Sequence, residues 1–250
     1  MASDLPRIAD LLLKNSVGKE DWGEISALNG AGCSKGVANK FLICCLLDFQ
    51  SPTGEAWRKA ERLVERLGDP ADLWSTISSF AKEKWDSKYE EFGRPHRFHW
   101  GYKRLWGIAN DICARYEGDA RKIWSGRPPF EVLLHLWGLG AGDQISRMIV
   151  GALRDCGQIA GDSGDVKADV HLRRVLGRAV DGEEISATNA ARVIQLTRDL
   201  SADPWQLDWP LWNLGRSHCR PINPNCGDCY LRDHCAYHQR QGDTAAAGPA

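Results

Sequence analysis

Four cysteines gathered near the end of the chain are its densest concentration of reactive side chains. In "CRPINPNCGDCYLRDHC" the residues Cys219, Cys226, Cys229 and Cys235 stand apart by gaps of six, two and five residues. Four thiolates hold either a tetrahedral zinc ion or a [4Fe–4S] cluster. Paired C-x2-C knuckles are the usual zinc-ribbon spacing, and here only Cys226 and Cys229 form one, while Pro221 and Pro224 keep the six-residue gap as open loop. Spacing alone leaves both metals open. The opening residues "MASDLPRIADLLLKN" lack the basic start, apolar stretch and small-residue cleavage site of a secretory leader. A reducing, cytoplasmic or nucleoid-associated setting is therefore expected, in which clustered thiols serve a metal or cluster and not disulfides. Cys44 and Cys45 lie in the apolar run "FLICCLLDF" and read as core thiols.

Two further segments carry candidate chemistry. In "LWGLGAGDQIS" the glycines Gly138, Gly140 and Gly142 recur at every second position between two apolar stretches. Glycine permits a tight turn and close backbone approach, and a helix starting after such a turn points its N–H groups outward, where they bind phosphate. A plain helix–helix connection gives the same pattern. In "DVKADVHLRRVLGR", Asp169 and His171 precede an amphipathic stretch with Leu172, Val175 and Leu176 on its inner side; taken alone, Asp169 is a helix cap.

Helical periodicity dominates the elements that must position these residues. "DLPRIADLLLKN" sets Leu5, Ile8, Leu11 and Leu12 on one face, with Asp4 as cap and Pro6 in the first turn. "NKFLICCLLDFQ" reads as a buried helix, and "GEAWRKAERLVERLG" as an amphipathic one stopping at Gly68. "DPADLWSTISSFA" starts at another aspartate cap. "YKRLWGIANDICARYEGD", the pair of helices around the glycine turn, "SATNAARVIQLTRDLSA" and "DWPLWNLGRSHC" complete an all-α chain of roughly ten helices. No internal repeat is present, and the last residues, 241–250, are small and polar enough to be disordered. At 250 residues the chain can bury a sizeable core, and no apolar run is long enough to span a bilayer. The formal net charge of -1 announces no nucleic-acid partner, yet from Arg94 to Arg127 eight Lys/Arg face three Asp/Glu. A local basic patch matters more than the total for phosphate binding.

Taken in order, the glycine hairpin, the Asp-x-His segment and C-x6-C-x2-C-x5-C resemble the endonuclease III-like iron–sulfur branch of the helix-hairpin-helix (HhH-GPD) DNA glycosylases. That family's hairpin reads roughly L-P-G-V-G-x-x-T-A and aligns with Leu136 to Gln144; its V-D-T-H-x-x-R-V aligns with Ala168 to Val175. "LWNLGRSHC" is similar to the family's helix ending in H-G-R-x-x-C, and "LICCLLDFQS" to its L-L-x-x-Q-x-T-D helix end. The resemblance covers about residues 5–238, and its cysteine spacing favours [4Fe–4S] over zinc.

The resemblance implies two helical lobes with a DNA-binding cleft between them. Residues 30–163 form a helical-barrel lobe with the helix-hairpin-helix motif, residues 1–29 and 164–240 a lobe with the C-terminal cluster loop, and 241–250 the tail. It implies a monomer acting on double-stranded DNA, with no membrane, as a hydrolase of base excision repair that cleaves an N-glycosidic bond. Asp169 would be the catalytic carboxylate, stabilising positive charge on the deoxyribose or activating water. Gln50 would fill the gap left by the flipped base, with His99 or Trp100 as a second wedge; Trp100 in the core is the plainer reading. Gly138, Gly140, Gly142 and Asp143 would line the hairpin and base pocket, His171 would shape the site or meet a phosphate, and Arg216 and Arg220 would meet phosphates. Three positions depart from the family pattern. Trp137 replaces the hairpin proline, Asp143 the threonine, and Gly142 the lysine with which bifunctional members attack the sugar. Asp143 is a candidate cap for the helix after the hairpin. A monofunctional enzyme that leaves an abasic site follows, unless Lys167 substitutes for the missing lysine. The rivals are a catalytically silent lesion-binding protein of the same fold and an iron–sulfur protein that never meets DNA. The base itself is not legible.

Overall fold

The computed structural model describes residues 4–15, 28, 33–161 and 164–246, and among these there is no strand. Thirteen α-helices are described: α1 (Leu5–Lys14), α2 (Lys35–Leu47), α3 (Thr53–Leu67), α4 (Leu73–Ser78), α5 (Lys82–Ser87), α6 (His99–Tyr116), α7 (Arg121–Trp124), α8 (Pro129–Gly138), α9 (Asp143–Asp155), α10 (Val170–Leu176), α11 (Ala190–Leu200), α12 (Asp208–Ser217) and α13 (Ala236–Ala246). The all-α expectation holds. No described helix is long and apolar enough to cross a membrane. The chain divides into two compact units, Asp21–Ser163 and Met1–Glu20 with Gly164–Ala250.

In the unit of residues 21–163, α2 is the central helix. Every residue from Phe41 to Leu47 is buried, as befits a helix apolar all round. It begins at Ser34, whose hydroxyl accepts the Val37 N–H at 3.3 Å, earlier than the apolar run alone indicates. Asn39, fully buried on α2, saturates its amide. Its Nδ2 donates to the carbonyls of Pro70, Ala71 and Gly118 at 3.1–3.3 Å, and its Oδ1 accepts from Trp74 Nε1 and the Ala120 N–H at 2.9 Å. One side chain thereby ties α2 to the turns before α4 and α7. Asp69 caps a 3₁₀ turn (Pro70–Asp72) that feeds α4, and α3 stops at Gly68 with φ +100°. Cys44 and Cys45 are core thiols, as expected; burial pushes the Cys45 thiol up.

In the unit of residues 1–20 and 164–250, α10 continues through a π-helical turn (Gly177–Asp181) and packs on α12, while α1 lies against α11 and α12. The core is Ile8, Leu12, Leu172, Leu176, Val193, Leu211 and their neighbours. Two expectations are corrected. Asp4 stands at the cap position of α1 but makes no side-chain cap bond; its carboxylate lies 3.5 Å from His234 instead. The disordered tail expected from residue 241 is helical as far as Ala246, as a continuation of α13; residues 247–250 lie outside the described residues.

Candidate functional site

Asp169 caps α10. Its Oδ1 accepts the backbone N–H groups of His171 at 2.8 Å and Leu172 at 3.0 Å, which fixes the carboxylate rotamer and leaves Oδ2 turned to other partners. The first of these is Lys167, whose Nζ lies 3.9 Å from Asp169 Oδ2 and 3.4 Å from Asp208 Oδ2. Asp208 opens α12 and is buried, and its Oδ1 also accepts the Lys167 backbone N–H at 3.2 Å. Burial pushes Asp208 up to about 6, against the pull of Lys167 and with the help of the Asp169 charge. At neutral pH Asp208 is therefore largely ionised. The Trp212 ring lies 5.6 Å from Lys167 Nζ and 4.5 Å from the Arg216 guanidinium, with Trp209 stacked on it at 5.1 Å and the His171 ring edge-on at 6.1 Å. Burial, ahead of the opposing Asp169 charge, pushes His171 down and so holds it neutral. A carboxylate with one oxygen locked by backbone donors, beside a half-buried aromatic platform and cations, suits stabilising a cation or activating water.

Close packing places His171 there. A Cβ on Gly215 of α12 would come within 2.8 Å of His171 Cβ, so only glycine lets α12 approach α10 this closely. Arg174, 2% exposed on α10, donates to the carbonyls of Gly215 at 2.8 Å and Cys219 at 2.6 Å, and its Nη2 lies 3.1 Å from His171 Nδ1. The helix that Asp169 caps thus holds the start of the cysteine loop. Arg178 does the same further on. It donates to the carbonyls of Arg220 and Pro221 at 2.7 and 3.0 Å and lies 3.7 Å from Cys219 Sγ, while Cys235 Sγ is 3.5 Å from the Arg178 carbonyl.

The four cysteines share one locality. Cys229 feels the charges of Cys235, Cys219 and Cys226, and burial pushes it up to about 11; burial also raises Cys219 and Cys235. Among the described residues no three His, Cys, Asp or Glu side chains converge as ligands of a single metal ion. The Arg216 side chain is exposed beyond the Trp212 ring, and Arg220 is exposed with Nε 3.2 Å from the Ser217 carbonyl.

The remaining candidates belong to the other unit. Gln50 is exposed at the end of α2 with φ +48°, a left-handed conformation uncommon outside glycine. Its carbonyl accepts from Arg97 Nη1 at 2.8 Å, and the preceding Phe49 carbonyl lies 2.9 Å from His96 Nε2. Phe49 stacks on His96 at 4.0 Å, lies tilted against Trp100 at 4.9 Å and sits beneath Arg104 at 4.6 Å, so the structure gathers Gln50 and Trp100 around one aromatic–cation cluster. Trp100 is 54% exposed, which removes the core reading. His99 stacks on Tyr89 instead, at 4.5 Å. In the hairpin only Gly140 needs to be glycine for its backbone, at φ +80°. Gly142, not Asp143, occupies the cap position of α9; Asp143 sits in the first turn, its carboxylate 2.9 Å from Arg147 Nε. Gly138, the last residue of α8, lies 3.5 Å from Arg115 at its would-be Cβ, an ordinary contact.

Sequence reasoning missed Asp208, Trp212, Arg174 and Arg178. Asp208 carries the signature of a first-turn acid, the same as an exposed one, and nothing in the sequence distinguishes its burial. Arg174 and Arg178 recur four apart on α10 and its π-turn, a spacing that puts both on one side.

The chain shares its all-helical fold with solved DNA glycosylases. Among solved structures it is similar to endonuclease III in a trapped covalent intermediate with DNA, the estranged-adenine complex, with a TM-score of 0.59 at 16% identity, covering 82% of this chain and 86% of that one. A thermostable thymine-DNA glycosylase matches with a TM-score of 0.63 at 14% identity, covering 94% of this chain and 97% of that one. In sequence the chain is similar to endonuclease III of Thermotoga maritima, 24% identical over 174 residues, which cover 68% of this chain and 73% of that protein. No family model matches the chain.

Proposed function

We propose that the chain is a DNA N-glycosylase that removes a damaged, mispaired or modified base from double-stranded DNA and leaves an abasic site. The observation that carries this reading is Asp169. It stands at the aspartate of the family motif, and its carboxylate is oriented by two backbone N–H groups at 2.8 and 3.0 Å. Breaking the glycosidic bond develops positive charge on the deoxyribose, and a preoriented carboxylate in a water-poor pocket stabilises it. Gln50, braced at φ +48°, and the exposed Trp100 are suited to fill the space vacated by a flipped base. Gly138, Gly140, Gly142 and Asp143 would form the hairpin that meets DNA, His171 would shape the site around Asp169, and Arg216 would meet a phosphate. Gly142 offers no nucleophile, so base release occurs without strand cleavage. Lys167 sits between two carboxylates that favour its charged form, which disfavours it as the attacking amine. The relatives named for acting on DNA support a DNA substrate for this chain.

Cys219, Cys226, Cys229 and Cys235 would hold a [4Fe–4S] cluster, which supplies a covalent anchor for the loop. The donor set fits in kind: four cysteine sulfurs lie close enough for Cys229 to feel the charges of the other three, and four thiolates are the ligand set of a cubane.

The test uses a panel of duplexes, each with one uracil or thymine opposite guanine, one oxidised pyrimidine, or one alkylated base. Release of free base, with strand breaks only after alkali, is the expected result. Strand cleavage without alkali, with an enzyme–DNA adduct trapped by borohydride, would contradict the monofunctional reading. Binding without base release from any duplex would favour the silent lesion-binding protein, a reading that the acid at Asp143 in the hairpin supports.

A further inference from the structure

Lys167 presents a problem of charge. Its ammonium lies 3.9 Å from Asp169 Oδ2, the oxygen not tied to the backbone of α10. A cation at that position opposes the positive charge that develops on the sugar, unless something cancels it. Asp208 is placed to do so, gripping Lys167 twice, at its backbone N–H and at Nζ. The three side chains are 15%, 16% and 7% exposed for Lys167, Asp169 and Asp208, so solvent screens them little.

We propose that Lys167 and Asp208 are positioning residues for Asp169: Lys167 holds Oδ2 in place, and Asp208 neutralises Lys167 so that the site keeps one net negative charge toward the sugar. This rests on the glycosylase reading of Asp169. Of the other charges on the surrounding elements, Arg216 shares the Trp212 ring with Lys167 and the rest are engaged elsewhere. On α10, Arg174 binds the Gly215 and Cys219 carbonyls and His171 is neutral. On α12, Arg216 lies over Trp212. On α1, Arg7 and Lys14 pair with Asp10, and on α11, Arg192 and Arg198 pair with Asp181 and Asp165. Because burial pushes Asp208 up to about 6, acidification protonates it, the net charge beside the sugar becomes zero, and base release slows.

The test is single-turnover base release by the full-length protein, on whichever duplex of the panel it processes, from about pH 5 to about pH 8. Asp208→Asn keeps the shape and should release base about tenfold or more slowly at neutral pH, with duplex affinity unchanged and no titration near pH 6. The double variant Lys167→Met with Asp208→Asn restores one net negative charge and should be several-fold faster than Asp208→Asn alone. A merely structural ion pair predicts the reverse order, since the double variant loses more contacts. Wild-type rates in Asp208→Asn, or a double variant no faster than the single one, would overturn the proposal. If Asp208→Asn does not fold, the wild-type profile is read beside that of His171→Gln: a rate flat through pH 6 overturns it, and a fall below about 6 that persists in His171→Gln supports it. Asp169→Asn is assayed alongside. Full activity there, or no base release by the wild type on any duplex, overturns the glycosylase reading itself and this inference with it. A dead Asp169→Asn beside a fully active Asp208→Asn overturns only the inference.

Discussion

At Asp169 the two carboxylate oxygens have different partners, Oδ1 the helix backbone and Oδ2 the Lys167 ammonium. Substitution can separate the two. Asparagine caps helices as well as aspartate does, so Asp169→Asn should keep its melting temperature while losing base release; Asp169→Ala should lose activity and also about 1 kcal/mol of stability. Thermal melts beside a base-release assay check both. Gly142 has φ -64° and open space where a Cβ would stand, so Gly142→Lys is accommodated without strain. On the proposed function that variant gains a nucleophile where bifunctional members of the family carry theirs. Borohydride should trap an enzyme–DNA adduct seen on a denaturing gel, with none from the wild type. Asp208 makes a prediction of opposite sign to the usual carboxylate. Its folded value, about 6, lies above the ordinary 3.8, so the folded chain keeps a proton that the unfolded chain has released. Stability from this group is full below about pH 4 and is lost as pH rises through about 6, on the order of 2–3 kcal/mol. Denaturant unfolding of Asp208→Asn should lack that slope. None of this was legible in "LDWPLW": an acid in a first helical turn looks the same buried or exposed, and only the fold seats it under Lys167.

Helices reveal themselves in sequence where an apolar stripe recurs, and the stripes of α1, α3, α9 and α11 did so, α3 with its stop at Gly68 as expected. The start of α2 was obscured because "SKGVAN" has no large apolar residue, although Ser34 caps it. Short α5 and α7 span too few turns to show a period, and α13 has little apolar face to show. Asn39 lies within α2 and its role was hidden, since its five partners come from α4 and from turns distant in the chain. Asn39→Leu leaves the Pro70, Ala71 and Gly118 carbonyls, Trp74 Nε1 and the Ala120 N–H without it, and should cost about 3 kcal/mol or more, read from urea unfolding. Gly215 makes the corresponding point for α10 and α12. Its cysteine-proximal motif was legible, but the reason for glycine was not; Gly215→Ala should cost about 1–3 kcal/mol by forcing the two helices apart at His171, and base release should fall further than stability alone explains.

For the whole molecule, fold and sequence point the same way: all helices, a glycine hairpin at α8–α9 and a cysteine loop after α12, in the fold shared with endonuclease III and a thymine-DNA glycosylase. Arg174 and Arg178 join that loop to the helix that Asp169 caps, so losing the proposed cluster should disturb more than the loop. Cys219→Ser should lower iron content, thermal stability and duplex affinity together; an intact melt with no iron bound would contradict this. DNA affinity itself should fall as salt rises, since the overall charge of -1 hides the basic stretch 94–127. The most direct measurement of the central claim is the rate of free-base release from the processed duplex by wild type and by Asp169→Asn, at equal bound fraction. With Asp169 as the charge-stabilising carboxylate, the variant should be slower by about a hundredfold or more, with the wild-type strand intact before alkali. Equal rates would contradict it.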